Sequence, residues 1–158
     1  MRRYWQPVAL LDEFDPALDP RMGVRPVKAV RLLGQDLVLF RNADGSFGLL
    51  DRDCPHRGAD LAFGRNEGDG LRCPFHGWKF DAAGQCTDTP GEPTGSTLCQ
   101  RIKQRSYPLL EKAGVLFGWF GPEDVHAAAL PRVGLLCRAG HAQFCLQGPV
   151  ALQLAAGL

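Results

Sequence analysis

The sequence predicts an all-β domain of antiparallel strands followed by an irregular tail. Short apolar runs alternate with turn residues, an Asp44-Gly45 pair gives a strong hairpin signal, and 19 Gly with 12 Pro supply the tight connections such a fold requires.

Each element can be placed in order. After an aromatic start, Tyr4-Trp5-Gln6-Pro7-Val8, the stretch Phe14 to Pro26 is rich in Asp, Pro and Gly and reads as a loop. Val27 to Leu33 and Asp36 to Phe40 read as strands around a turn at Gly34. Phe47 to Asp51 follows as a third strand after Asn42-Ala43-Asp44-Gly45, completing a meander. Leu71 to Cys73, Trp78 to Asp81 and Val115 to Phe120 add short strands, with an Ala83-Gly84 turn and a Pro90-Gly91 loop between them. Beyond Gly121-Pro122 the character changes. His126 to Leu130 reads as a helical turn stopped by Pro131, and the remaining apolar segment lacks a clear period. The expected division is a domain over residues 1–122, then a linker, a truncated start of a further domain or an irregular tail over 123–158.

A chain of 158 residues has room for one domain with a real core, and not for two complete enzyme domains. Hydrophobic residues at 45% and charged residues at 22% argue for a globular protein. Eighteen Lys plus Arg against 17 Asp plus Glu leave a formal charge of +1, so no overall field favours nucleic acid or an anionic membrane. Met1 to Pro7 lacks the apolar stretch of a signal peptide and no run is long enough to span a bilayer, so the expected location is cytoplasmic. In that compartment clustered Cys and His read as a metal site rather than as disulfides.

The chemistry lies in Asp53-Cys54-Pro55-His56-Arg57-Gly58 and Arg72-Cys73-Pro74-Phe75-His76-Gly77-Trp78. Each segment offers one Cys and one His, as Cys-x-His, sixteen residues, then Cys-x2-His. This differs from the paired Cys-x2-Cys and His-x3-His of common zinc modules. A Rieske-type [2Fe–2S] centre explains the mixed pairs better, because two thiolates hold one iron and two imidazoles the other. The expected ligands are therefore Cys54, His56, Cys73 and His76. Two thiolates just cancel the formal positive charge of two ferric ions and two sulfides, so such a core accepts an electron more readily than one held by four thiolates. Potentials of about −150 to +300 mV result, against about −400 mV for plant-type all-Cys ferredoxins. Imidazole ligands near solvent also imply redox-linked titration. Pro55 and Pro74 stiffen the loops, Gly58 and Gly77 allow unusual backbone angles, and Trp78 is placed to shield the centre.

Cys54-Pro55-His56-Arg57-Gly58-Ala59-Asp60-Leu61, Cys73-Pro74-Phe75-His76-Gly77-Trp78-Lys79-Phe80-Asp81 and the opening Arg3-Tyr4-Trp5-Gln6-Pro7-Val8 resemble the Rieske domain of ring-hydroxylating oxygenases, in the phthalate dioxygenase and aromatic O-demethylase branch. The likeness runs from about Arg2 to Pro122. It implies a Rieske β-sandwich with a two-loop cluster-binding subdomain. It also implies electrons arriving from a reductase or ferredoxin, a mononuclear Fe(II) that activates O2 on an aromatic substrate, and a homo-oligomeric full-length form. The Fe(II) site of that family needs two closely spaced histidines and a carboxylate. The remaining histidines, His126 and His141, are fifteen positions apart, so no ligands for that iron are found and no residue is given a catalytic role.

Other readings use the same residues. A stand-alone Rieske ferredoxin is a carrier rather than an enzyme component, and the long lead before Cys54 speaks against it. A zinc-bound interaction module would be colourless. Cys86, Cys99, Cys137 and Cys145 read as reduced, semi-buried thiols. The extra loop cysteines of respiratory Rieske proteins are absent here, which favours the low end of the potential range, around −150 to 0 mV. Arg57, Arg65, Arg72 and Lys79 form either a docking surface or an ordinary solvated face. Glu123 and Asp124 read as decoration at the domain exit.

Overall fold

A computed structural model describes residues 4–93 and 95–122, together with the backbone of 137–138 and 141–142. In chain order the strands are β1 (Gln6–Leu10), β2 (Val27–Leu32), β3 (Gln35–Arg41), β4 (Phe47–Asp51), β5 (Arg65–Asn66), β6 (Leu71–Arg72), β7 (Lys79–Phe80), β8 (Cys86–Asp88), β9 (Leu109–Lys112), β10 (Val115–Gly118), β11 (Cys137–Arg138) and β12 (His141–Ala142). Single helical turns occur at α1 (Arg21–Val24) and α2 (Leu98–Arg101). Among the described residues every strand pairing is antiparallel, so the all-β expectation holds.

The chain divides into two compact units, Met1–Ala127 and Ala128–Leu158. In the second, β11 pairs with β12. In the first, β2-β3-β4 form a meander, β1-β10-β9 a second three-stranded sheet, and β5-β6-β7-β8 a four-stranded sheet that carries the second Cys/His loop. The hairpin between β2 and β3 closes through Leu33 and Gly34, whose φ values of 52° and 76° give the two left-handed residues that a right-twisted two-residue hairpin needs.

The meander is the middle of the unit because β3 is apolar on both faces. Leu37, Val38, Leu39 and Phe40 are all fully buried. Side chains alternate across a strand, so Leu37 and Leu39, with Leu49, join Ala9 and Leu116 in one core, while Val38 and Phe40, with Leu50, join Leu71, Phe80, Cys54 and Cys73 in the other. The first core binds the outer sheet. The second anchors both ligand segments, with about 1.5–3 kcal/mol from each large apolar side chain buried.

The sequence-based elements needed some revision. The stretch Phe14 to Pro26, expected to be a loop, contains α1, which begins where the Asp19 carboxylate accepts the Arg21 N–H at 3.0 Å. The expected strands Leu71 to Cys73 and Trp78 to Asp81 shorten to β6 and β7, because Cys73 and Trp78 already belong to the intervening loop. The aromatic start continues into β1, an edge strand that tolerates Pro7. Among the described residues no helix is long and apolar enough to cross a membrane. The expected helical turn at His126 to Leu130 lies outside them.

Candidate metal centre

The two ligand segments fold into the same backbone frame. In the first, the Cys54 N–H donates to the Ala59 carbonyl at 2.9 Å and the Gly58 N–H to the Cys54 carbonyl at 2.8 Å. In the second, the Cys73 N–H donates to the Trp78 carbonyl at 2.8 Å and the Gly77 N–H to the Cys73 carbonyl at 3.2 Å. Gly58 and Gly77 occupy equivalent places at φ values of 67° and 75°, a left-handed conformation in which a β-carbon is strained. Pro55 and Pro74 follow each cysteine directly, with φ fixed by the ring. The different spacings Cys-x-His and Cys-x2-His thus fall on matched loops, with His76 one step further round than His56.

The four side chains sort by element. Cys54 and Cys73 are 2% and 4% exposed and belong to the same buried core. His56 is half-buried, His76 is exposed, and their ring centroids lie 4.6 Å apart. Sulfur is inside and nitrogen outside. Trp78 is stacked on the His56 ring at 4.3 Å with 7° between planes, so it covers one flank as expected, while Phe75 stands against His76 at 3.9 Å. Among the described residues no three Cys, His, Asp or Glu side chains converge closely enough to hold a single metal ion.

Electrostatics fit a positively charged guest. Burial pushes the Cys54 thiol up to about 11; the His56 N–H, aimed at the sulfur, opposes this, Cys73 adds to the rise, and the Arg57 N–H opposes it again. A thiol so placed keeps its proton at neutral pH unless a metal ion takes the proton's place. The N–H donors already at the sulfur suit a thiolate ligand and tune its donor strength. Desolvation, with smaller contributions from His56 and Arg57, lowers the His76 pKa, which leaves a neutral ring with a free lone pair.

Ion pairs brace both loops. Arg52 holds Asp60 across the base of the first loop, with Nε to Oδ1 at 2.7 Å, and that oxygen also accepts the Ala62 N–H at 2.8 Å. Arg72 grips Glu67 through Nε at 2.8 Å and Nη2 at 2.9 Å, and Asp88 through Nη1 at 2.8 Å; Nη1 also reaches the Gly77 carbonyl of the second loop. Gln104 is buried, and its Nε2 donates to the Asp51 and Asp53 carbonyls at 2.7 and 2.8 Å, fixing the chain as it enters the first loop. Of the four basic residues considered for docking, Arg65, Arg72 and Lys79 are engaged with Glu67, Asp69 and Asp88. Arg52, Asp60 and Gln104 escaped the sequence reading. Asp60 ahead of Leu61-Ala62-Phe63 is a legible cap signal, whereas nothing local marks Gln104.

This network predicts acid sensitivity. Arg72 first, then Arg65, holds the Glu67 carboxyl down to about 2 from 4.5. A depressed carboxylate contributes stability that is complete above the unfolded value and is lost as pH falls through the folded one. The melting-temperature difference between the wild type and Glu67→Gln should therefore shrink as pH drops from 4.5 to about 2. A difference that stays constant across that interval would rule the network out as a source of stability.

His126, Cys145, Glu123 and Asp124 lie outside the described residues, and His141 and Cys137 are described by backbone alone.

Comparison with known proteins bears on the same segments. The family model described as "Rieske [2Fe-2S] domain" matches residues 5–108. The chain is 44% identical over 131 residues to the phthalate 4,5-dioxygenase oxygenase subunit of Pseudomonas putida, covering 83% of this chain and 28% of that one. It is 42% identical over 125 residues to the 5,5'-dehydrodivanillate O-demethylase oxygenase subunit of Sphingobium sp. (strain NBRC 103272 / SYK-6), covering 77% and 28%. It therefore spans under a third of these relatives. The solved structure of dicamba monooxygenase superposes with a TM-score of 0.69 at 29% identity, over 83% of this chain and 39% of that one. With matched loops that gather two cysteines and two histidines, an antiparallel frame to carry them and a family match over most of its length, the chain belongs to the Rieske [2Fe–2S] domain family.

Proposed function

We propose that Cys54 and Cys73 hold one iron of a [2Fe–2S] cluster, that His56 and His76 hold the other, and that the domain passes single electrons within an aromatic-oxidising oxygenase component. The observation that carries this reading is the sorting of donors: sulfurs paired inside and imidazoles paired outside, on loops of one geometry. When bound, the cluster supplies a one-electron store in the Rieske potential range.

The chain's own residues do the rest. The His56 and Arg57 N–H groups stabilise charge on the Cys54 sulfur, Trp78 keeps water from the His56 flank, and exposed His76 brings the centre within reach of a redox partner. A cluster held by imidazole ligands near solvent would supply redox-linked proton exchange, and His76 is the exposed imidazole at which a proton would be held or lost. That partner is a reductase or ferredoxin, and the relatives' names favour an oxygenase role over a stand-alone carrier. Mononuclear Fe(II), the aromatic substrate and homo-oligomer contacts belong on this reading to the parts of the relatives that residues 1–122 do not cover, with 123–158 a linker, a truncated start of a further domain or an irregular tail. A cytoplasmic location is part of the same proposal.

The test is a redox titration of the red-brown protein at several pH values. Reversible one-electron reduction between about −150 and +300 mV, with a potential that falls as pH rises through imidazole ionisation, is expected. A potential flat to strongly alkaline pH, or no reducible iron, would overturn the reading.

A further inference from the structure

Two cysteines outside the ligand loops lie side by side. Cys86 in β8 is 4% exposed, Cys99 in α2 is half-buried, and their sulfurs are 3.4 Å apart. Thirteen positions separate them in sequence, so the contact is a product of the fold.

The backbone around the pair is fixed from both sides. The Cys86 N–H donates to the Ile102 carbonyl at 3.2 Å. Gln85 Nε2 donates to the carbonyls of Cys99 and Ile102, each at 3.2 Å, which ties α2 to β8. Closing a disulfide brings these sulfurs from 3.4 Å to about 2.05 Å. Solvent reaches Cys99 more readily than Cys86. Peroxide therefore meets Cys99 first, and Cys86, buried against it, is left to close the bond.

We propose that Cys86 and Cys99 are a redox-modification site that takes up peroxide oxidation as an intramolecular disulfide. In the first step the Cys99 sulfur attacks hydrogen peroxide; the O–O bond breaks, an S–O bond forms, and one water leaves with the thiol proton. In the second, the Cys86 sulfur attacks the Cys99 sulfur; the S–S bond forms, the S–O bond breaks, and the second water takes the Cys86 proton. Two thiols lose two electrons in all, and one peroxide is reduced to two waters. A dithiol reductant reverses the change by exchange.

The site adjoins the second ligand loop. Cys86 pairs with Phe80 across β7, and Asp88, two residues on, anchors the Arg72 guanidinium that reaches the Gly77 carbonyl. The disulfide fastens α2 to the strand that braces this loop. It gives Cys86 and Cys99 a role that does not depend on the ligand assignment.

The experiment treats the intact protein with hydrogen peroxide, alkylates it in acid and denaturant, and maps tryptic peptides. Phe80 to Arg101 is one tryptic peptide and carries these two cysteines and no other, while Cys54 and Cys73 fall in separate peptides. The expected product is that peptide lighter by two hydrogens, unalkylated, and restored by dithiothreitol. It should form at least about tenfold faster in the native protein than in denaturant, because folding holds the sulfurs together. In Cys99→Ser, Cys86 should remain reduced under the same exposure. Recovery of both cysteines alkylated, cross-links to the Cys54 or Cys73 peptides, or equal rates in native and denatured protein would each overturn the proposal.

Discussion

Replacing Cys73 by serine should strip the iron–sulfur core from the protein while leaving the fold in place. Cys73 is 4% exposed and packs in the same core as Cys54, so a ligand from solvent has poor access to its place. Loss of a single outer-shell partner costs about 10–100-fold in metal affinity, and loss of a direct ligand costs more. Iron and acid-labile sulfide should therefore fall by more than about tenfold relative to wild type. Serine is close in volume to cysteine, and the Cys73 backbone bonds to Gly77 and Trp78 are untouched, so the antiparallel circular-dichroism signature should persist. Cys99→Ser is the matched control and should keep its full iron content. A Cys73→Ser protein that retained wild-type iron would remove the residue from the site.

Gly84→Ala should be the most damaging small substitution in the β7–β8 turn. Gly84 sits at φ 79°, and a β-carbon there would lie 2.1 Å from the Gln104 carbonyl oxygen and 3.1 Å from its carbon. Both obstacles are backbone, and the Gln104 N–H is itself held by the Gly84 carbonyl at 2.7 Å. No rotamer relieves the clash. A non-glycine residue in a left-handed conformation costs about 1–3 kcal/mol before any overlap, and moving a packed segment adds about 1–3 kcal/mol. A loss of about 2–6 kcal/mol follows, which lowers the melting temperature by more than about 5 °C in a domain of this size. Displacing Gln104 also releases its grip on the Asp51 and Asp53 carbonyls, so cluster retention should weaken with stability. Gly91→Ala, where nothing lies within 4 Å of the added carbon, should melt within about 2 °C of wild type. Equal melting temperatures for the two variants would contradict the close approach at Gly84.

The parts of this protein that announce themselves in sequence are those whose signals are local. The β2–β3–β4 meander is legible because apolar runs meet turn residues at Gly34 and Asp44-Gly45, and the ligand loops because Cys, Pro, His and Gly recur at fixed offsets. β1 was hidden by a bulge between Pro7 and Ala9 that breaks its alternation, and by a partner strand more than a hundred residues away. β5 and β8, at two and three residues, are too short to show a period. The bracing of the site was hidden for another reason. Gln104 touches Asp51 and Asp53 only because the chain returns there, and Cys86 meets Cys99 only because Gln85 ties α2 back to β8. Basic residues beside the loops read as a surface until Glu67, Asp69 and Asp88 are seen to meet them.

The most direct measurement is pulsed EPR on the dithionite-reduced protein prepared with natural-abundance and 15N-labelled histidine. Two distinct nitrogen couplings, both altered by the label and one of them lost in His76→Cys, are expected if imidazoles from both loops bind one iron. A paramagnetic cluster without histidine nitrogen coupling, or a colourless protein with no signal after reduction, would contradict the assignment.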